Sequence, residues 1–232
     1  AARVDVTSRA EVENAVKEIV DRYGRLDILV NNAGVTRDNL LYKMTDEDWR
    51  TVLNVHLGGV FLCTRAAQRH MVERNYGRIV NVSSMGGKLT FPGAGYYHAT
   101  KHAVEALSDA LRFEVQGFGV KVSIIEPGLI RTGFAETAVG SMDGSDGEDP
   151  YAGFDEAVAR ATTDNYERGP FSRLSGGPEA VAEAIEHAVS ARNPRSRYAV
   201  TPSAHLFMRL RRLLPDRTWD AVLRTTFPQP ER

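Results

Sequence analysis

A tyrosine and a lysine stand four residues apart in the segment Tyr97-His98-Ala99-Thr100-Lys101. On a helix, side chains at i and i+4 share a face, so the ammonium would lie near the phenol. A nearby positive charge favours the phenolate and lowers the tyrosine pKa from its ordinary value of about 10. A phenol tuned toward neutral pH can exchange the proton of a reversible carbonyl reduction. The pair alone is a weak motif, so its surroundings decide its meaning.

Small and polar residues follow three of the predicted strands. They are Asn31-Asn32-Ala33-Gly34, Ser83-Ser84 and Pro127-Gly128. Ligands of open parallel sheets bind outside the carboxyl ends of the strands, so these residues are candidates for one site. Ser84 precedes Tyr97 by thirteen residues, and its hydroxyl could hold a substrate carbonyl oxygen beside the phenol. Asn54 lies in a predicted helix, where an amide is a poor helix former and needs another reason.

The elements that position these residues alternate between strand and helix. The predicted strands cover residues 3–6, 26–30, 78–82, 120–125 and 197–201. The predicted helices cover residues 8–23, 45–74 with a break at Gly58-Gly59, 96–115 and 178–191. This alternation predicts an α/β fold with a doubly wound, Rossmann-like parallel sheet.

Composition bounds the class of protein. A chain of 232 residues can bury one core, so a single domain over residues 1–232 is expected. A formal net charge of −1 argues against a nucleic-acid partner. The single Cys63 excludes an internal disulfide. Together with the lack of an apolar run of membrane-spanning length, it leads us to expect a cytoplasmic protein.

Two segments depart from the strand and helix rhythm. Residues 133–177, rich in Gly, Ser, Asp and Glu, are interpreted as an insertion over the substrate, with a short helix near residues 155–165 and a solvated acidic run at residues 143–149. Residues 203–227 form a helical tail that mixes leucine and arginine. The tail could lie on a membrane surface, but packing over the mouth of the site or against a subunit is the favoured interpretation.

In order and spacing, the chain resembles the short-chain dehydrogenase/reductase family in its single-domain form. The marks that carry the resemblance are Asn31-Asn32-Ala33-Gly34, Asn54, Ser84, Tyr97 with Lys101, and Pro127-Gly128 with Thr132. The resemblance implies an NAD(P)-dependent oxidoreductase that transfers hydride between NAD or NADP and an alcohol or ketone. A homodimer or homotetramer is also expected.

The resemblance assigns four catalytic roles. Tyr97 would protonate the developing alkoxide or deprotonate the alcohol, and Lys101 would lower its pKa and bind the nicotinamide ribose. Ser84 would orient the carbonyl, and Asn54 would hold a water that relays protons between Lys101 and solvent.

The resemblance also implies a set of cofactor contacts, in addition to those of Tyr97 and Lys101. Asp5 and Val6 would flank the adenine, and Asn32, Ala33 and Gly34 would line the adenosine ribose. The turn after the predicted strand 120–125 would also contact the cofactor. It contains Pro127 and Gly128, and its residues Ile130 and Thr132 would meet the carboxamide. No metal site is expected, because His98 and His102 have metal-like spacing without an acidic partner between them.

Members of this family begin with a strand, a glycine-rich phosphate loop, a helix and a second strand. None of these precedes residue 3, so we expect the chain to be a piece of a longer protein lacking its first two βα units. The strand ending at Val30 should then expose an apolar edge, and the piece by itself could be inactive. The missing phosphate loop also motivates an alternative function, a non-catalytic binding or regulatory protein on the same fold.

Substrate clues point in two directions. Residues 33–41 resemble 3-oxoacyl-carrier-protein reductases, whereas residues 97–107 and 125–128 resemble the steroid and retinol dehydrogenase branch. Since later segments build most of such a pocket, a bulky hydrophobic alcohol or ketone, such as a steroid, retinol or lipid, is preferred. A 3-oxoacyl thioester is the alternative.

Overall fold

The computed structural model describes residues 1–133, 151–167, 170–227 and 229. Four parallel strands form one sheet, and their order in the sheet follows their order in the chain. The strands are β1 (Ile28–Asn31), β2 (Gly77–Val82), β3 (Val120–Glu126) and β4 (Arg197–Ala199). Parallel neighbours require a crossover between them, and helices supply it.

Most of the remaining described residues are helical. The helices are α1 (Arg9–Tyr23), α2 (Asp46–Leu53), α3 (Gly59–Glu73), α4 (Gly95–Val115), α5 (Ala152–Glu167), α6 (Pro178–Ser190), α7 (Pro202–Leu213) and α8 (Asp216–Arg224). A π turn, Asn54–Gly58, joins α2 to α3 without a loop. The predicted break at Gly58-Gly59 is therefore a change of helical pitch rather than an interruption.

Helices cover both faces of the sheet, as the doubly wound prediction requires. On one face Ile79 of β2 packs with Met71 of α3 and Val115 of α4. On the other face its neighbour Val80 packs with Ala188 of α6. Successive residues of a strand point to opposite faces, so two adjacent residues of β2 belong to two different cores.

Local signals fix several helix ends. Ser8 caps α1 by accepting a hydrogen bond from the Glu11 amide, and Gly24 ends it in the left-handed conformation with φ of 70°. Pro178 stands at the first turn of α6, where its missing amide hydrogen costs nothing. These ends agree with the predicted ones.

As predicted, β1 is an edge strand of the described sheet, and the side chains on one of its faces are exposed. Ile28 is 45% exposed and Val30 38%, whereas Ile79 and Val80 of β2 are 0% and 1% exposed. An apolar edge of this kind invites pairing or association.

Two predicted strands need correction. Residues 3–6 form no strand, because no strand among the described residues lies beside them. Instead the main-chain amide of Asp5 donates to Glu11 and the Asp5 carboxylate accepts from Thr7. The predicted strand 197–201 ends at Ala199, and Thr201 caps α7 by accepting from the Ala204 amide. No helix in the described ranges is long and apolar enough to cross a membrane.

Candidate active site

A cavity of about 740 Å³ lies along the carboxyl ends of β1, β2 and β3. It brings together most of the predicted site residues, namely Asn32, Gly34, Ser84, Tyr97, Lys101, Pro127, Gly128, Ile130 and Thr132. Four other predicted residues, Asp5, Val6, Ala33 and Asn54, are not part of its lining. The cavity is therefore assembled from the ends of neighbouring strands, where parallel sheets bind their ligands.

Ser84, Tyr97 and Lys101 form one contact group in the cavity wall. Ser84 and Tyr97 both line the cavity, and the Ser84 hydroxyl is close enough to the phenol to lower its pKa. Lys101 lies one turn further along α4, with its Nζ 5.6 Å from the centre of the Tyr97 ring. The ammonium donates to the Val82 carbonyl oxygen over 2.8 Å, which ties α4 to the end of β2. The predicted i, i+4 geometry is thus present.

The expected lowering of the Tyr97 pKa is not present. Burial raises the pKa of Tyr97 to about 12, and the hydrogen bond from Ser84 opposes this rise. Burial also lowers the pKa of Lys101 to about 8. The physical reason is that the ammonium approaches the face of the ring and donates to a main-chain carbonyl, so desolvation outweighs its attraction for a phenolate.

A ladder of buried amides holds β1 beside β2. Asn31 and Asn81 are register partners, and Asn31 Nδ2 donates to Asn81 Oδ1 over 2.8 Å. Asn81 Nδ2 donates in turn to Ser108 Oγ of α4 over 2.8 Å. Asn31 is 8% exposed. The first asparagine of the Asn31-Asn32 pair is therefore structural, while the exposed Asn32 turns toward the cavity.

Asn54 lies at the start of the π turn, and its carbonyl accepts from the Gly59 amide five residues later. Its side chain is exposed and lies outside the cavity lining. The structure therefore gives Asn54 a place in the helix geometry. Its proton-relay role stays a prediction.

His56, two residues beyond Asn54, lines the cavity instead. Its ring is 4% exposed and meets the Tyr97 ring edge-on with 5.4 Å between ring centres. Burial and the nearby Lys101 lower the pKa of His56 to about 4, so the ring is neutral near neutral pH. Its Cε1 would stand 3.0 Å from a Cβ placed at Gly34, which explains why a glycine fits at that position.

Two further buried titratable groups line the cavity. Burial raises the pKa of Asp38 to about 7 and lowers the pKa of His98 to about 4. The negative charge of Asp38 opposes ionisation of Tyr97. At neutral pH His56 and His98 are therefore uncharged. Asp38 is partly ionised at this pH, and Lys101 carries positive charge.

The outer wall of the cavity is apolar and comes from the insertion and the tail. Phe171 and Phe207 meet with ring centres 4.9 Å apart, and Phe227 of the tail faces Phe91 at 6.0 Å. Trp219 of α8 completes this wall. Residues of the tail from Phe207 to Phe227 thus line the cavity. The predicted acidic run at residues 143–149 lies outside the described residues.

The sequence-based prediction missed Asp38, His56, His98 and Trp219 as cavity residues. His56 sits in a π turn, which a 3.6-residue period cannot place. Trp219 could have been found from its helix, because Trp219, Val222 and Leu223 share one face of α8. Asp38 and His98 carry no pattern of their own in the sequence.

The described residues fit one end of a dinucleotide. Tyr97, Lys101, Ile130 and Thr132 border open space that could hold a nicotinamide and its ribose. No glycine-rich loop follows a strand in the described part of the chain, so nothing there would cradle the phosphates.

Comparison with known sequences gives partial and nearly full-length matches. The profile of the family described as short chain dehydrogenase matches residues 1–142. A 3-oxoacyl-[acyl-carrier-protein] reductase of Synechocystis sp. is 40% identical over 136 residues, 59% of this chain and 55% of that protein. The chain spans about half the length of the 3-oxoacyl reductases that it matches. A 3-ketodihydrosphingosine reductase of Bacteroides thetaiotaomicron is 33% identical over 95% of this chain and 80% of that protein.

Solved structures share the fold over most of the chain. A short-chain dehydrogenase from Streptomyces avermitilis aligns with a TM-score of 0.74 and 35% identity, covering 97% of this chain and 80% of that one. The closed form of a serine dehydrogenase complexed with NADP+ aligns with a TM-score of 0.71 and 30% identity, covering 87% and 75%. The resemblance to the short-chain dehydrogenase family is confirmed, and the 3-oxoacyl reductase similarity is confirmed for part of the chain. The resemblance to the steroid and retinol dehydrogenase branch stays a prediction.

Proposed function

Since the chain belongs to the short-chain dehydrogenase family, we propose that it carries the catalytic site of an NAD(P)-dependent oxidoreductase that interconverts an alcohol and a ketone. The observation that carries this proposal is that Ser84, Tyr97 and the buried Lys101 line one cavity, with Lys101 Nζ 5.6 Å from the centre of the Tyr97 ring. The NADP+ named for the aligned serine dehydrogenase supports the choice of cofactor class.

NAD(P), when bound, supplies or accepts the hydride. The protein supplies position and the proton. Ser84 Oγ holds the substrate oxygen beside Tyr97, whose hydroxyl gives its proton to that oxygen in reduction and takes it back in oxidation. Lys101 supports the charge that remains on the phenol. His56, neutral and packed on the Tyr97 ring, excludes water from that side.

The electrostatics support a protonated Tyr97 as the resting form of the site. With a pKa near 12, Tyr97 is protonated at neutral pH and ready to give its proton to a carbonyl oxygen. The oxidation direction needs phenolate, which burial and the negative charge of Asp38 disfavour.

The apolar outer wall supports a bulky hydrophobic ketone. The aromatic residues of the insertion and tail leave room for a lipid-like body beside Tyr97. The sphingoid substrate in the name of the Bacteroides relative agrees with this class. A 3-oxoacyl thioester is the second candidate, because several similar reductases carry that activity in their names.

Replacing Tyr97 with phenylalanine tests the reaction. We expect kcat to fall by about 10² to 10⁴-fold in the longest natural form of the chain, assayed with NADH or NADPH and hydrophobic ketones. The matched control is Tyr96→Phe, because the Tyr96 hydroxyl donates to the main-chain oxygen of Arg37 and lies outside the cavity lining. A Tyr97→Phe variant with full activity would exclude this chemistry and favour the non-catalytic alternative.

The substrate class is tested by comparing how one substitution affects turnover of the two candidate substrates. Trp219→Ala should lower kcat/KM for a long-chain ketone about tenfold or more and leave a short 3-oxoacyl thioester less affected. Equal losses for both substrates would count against the apolar wall as the selective element.

We also propose a cytoplasmic homodimer or homotetramer. Phe61 of α3 and Phe113 of α4 are 47% and 67% exposed, and large exposed aromatics are typical of subunit contacts. Sedimentation of the longest natural form tests the assembly, and a monomer at micromolar concentration would refute it.

A further inference from the structure

A pair of carboxyl groups is buried one helical turn beyond Lys101. Glu105 of α4 and Glu126 at the end of β3 are each 3% exposed, and Arg197 lies within ion-pair distance of both carboxylates. Oε1 of each residue accepts no hydrogen bond from any group in the described parts of the chain. Ionised carboxylates carry acceptors only, so two of them buried around one guanidinium repel each other. A proton on one of the two carboxyls would remove this repulsion.

Cations from two elements surround the pair. Lys88, after β2, lies 2.8 Å from Glu105 Oε2, and Arg197 of β4 lies 3.1 Å from the same oxygen. Arg197 also lies 3.4 Å from Glu126 Oε1 and 2.6 Å from Asp109 Oδ2. Glu105 therefore receives both cations, whereas Glu126 shares a single guanidinium with two other carboxylates. This asymmetry makes Glu105 the better site for the remaining negative charge.

The Glu105–Glu126 pair lies close to the candidate active site. Gly87 follows Ser84 by three residues, and a Cβ placed there would lie 2.9 Å from Glu105 Cγ and 3.1 Å from the Lys101 carbonyl oxygen. Lys101 and Glu105 are four residues apart on α4 and share a face. The negative charge of Glu105 opposes the lowering of the Lys101 pKa by burial.

We propose that Glu105 and Glu126 share one proton, and that ionised Glu105 is a positioning residue that keeps the buried Lys101 charged. Glu105 touches neither substrate nor cofactor in this arrangement and acts only through Lys101. Loss of the shared proton adds negative charge near Lys101, so the ammonium persists to higher pH. The role for catalysis rests on the proposed function, whereas the shared proton does not.

The shared proton can be observed without any activity. In the chain labelled with ¹³C at glutamate Cδ, we expect one titration midpoint well above the ordinary glutamate value of 4.5. That midpoint should disappear in Glu126→Gln and should fall, without reaching the ordinary value, in Glu105→Gln, because the burial of Glu126 remains. A wild-type chain in which every glutamate titrates below about pH 5 would overturn the shared proton.

The effect on Lys101 separates the two variants. Followed through its ¹³Cε signal, Lys101 should titrate about half a pH unit to one unit lower in Glu105→Gln than in the wild type. Glu126→Gln keeps Glu105 ionised and offers it an amide donor, so the Lys101 midpoint should move much less. Equal shifts in both variants, or none, would reduce the pair to a structural role and overturn the proposal.

Kinetics add an independent reading. The alkaline limit of the pH profile of kcat should move down with the Lys101 midpoint in Glu105→Gln, and Glu105→Asp should restore part of it. If the longest natural form shows no turnover while both titrations behave as expected, the proposed function fails and the carboxyl pair stands. If turnover is present and the Lys101 midpoint is unchanged in Glu105→Gln, only the inference about the pair fails.

Discussion

Strands β1 and β2 are parallel neighbours with similar apolar sequences, yet their side chains differ in burial. The outward residues of β1 are 38–45% exposed, while the matching positions of β2 are almost fully buried. Of the groups proposed to do chemistry, Ser84 follows the buried strand β2. Tyr97 and Lys101 lie on α4, which packs against β2 and β3. Those expected to hold the cofactor, Asn32 and Gly34, follow the exposed strand. The proposed catalytic groups are therefore held by β2, which has a strand on each side. The groups expected to hold the cofactor follow an edge strand and are less constrained.

The largest difference should appear when one isoleucine is shortened in each strand. Ile79→Ala in β2 should lower the free energy of unfolding by about 2–5 kcal/mol, because it opens a cavity between α3 and α4. Ile28→Ala in β1 should cost less than about 1 kcal/mol, because its side chain is 45% exposed. Urea denaturation of both variants measures this. Equal losses would mean that β1 is covered in solution.

The amide ladder gives the next largest effect. Asn81→Ala should cost about 2–3 kcal/mol, because Asn31 and Ser108 both lose a buried hydrogen-bond partner. Asn32→Ala, at the exposed end of β1, should leave stability within about 0.5 kcal/mol and weaken cofactor binding instead. Denaturation and cofactor titration together test whether Asn81 acts on stability and Asn32 on cofactor binding. A large stability loss in Asn32→Ala would contradict this.

A pH series tests the buried carboxyl at the end of β3. Burial and Glu105 raise the pKa of Glu126 from 4.5 to about 7, so the folded state binds the extra proton between these values. The stability from this group is complete below pH 4.5 and is lost as pH rises through about 7, on the order of 3 kcal/mol. Glu126→Gln should remove that slope in thermal unfolding. His56 and His98, with pKa values near 4, contribute the opposite slope and remain in both proteins.

The smallest contrast lies between two glycines. A Cβ at Gly87 would stand 2.7 Å from Ser83 Oγ, whereas one at Gly34 meets the nearest atom of His56 at 3.0 Å. Gly87→Ala should therefore cost about 1–3 kcal/mol and Gly34→Ala less than about 1 kcal/mol. Thermal unfolding of the two variants measures the difference, and a reversed order would show that the segment after β2 yields more readily than His56.

The sequence predicted the elements that carry strong periodic signals. The apolar patterns of the buried strands β2 and β3 and of helix α4 predict these elements to within one or two residues of their observed ends. Residues 3–6 were assigned wrongly, since a strand depends on its neighbour and not only on its own composition. The contact of Ser84 with Tyr97 followed from spacing in a known family. The pKa of Tyr97 did not, because desolvation depends on every element that closes around the ring.

The π turn between α2 and α3 has a consequence for how this helix tolerates change. A π turn holds one residue more than a regular turn, so the segment before it and the segment after it are out of phase by about 100°. Deleting a single residue between 54 and 58 would yield a shorter, more regular helix rather than a broken one. The deletion would rotate His56 and everything before it relative to α3. An alteration that is nearly neutral for helix formation would thus swing the histidine away from Tyr97.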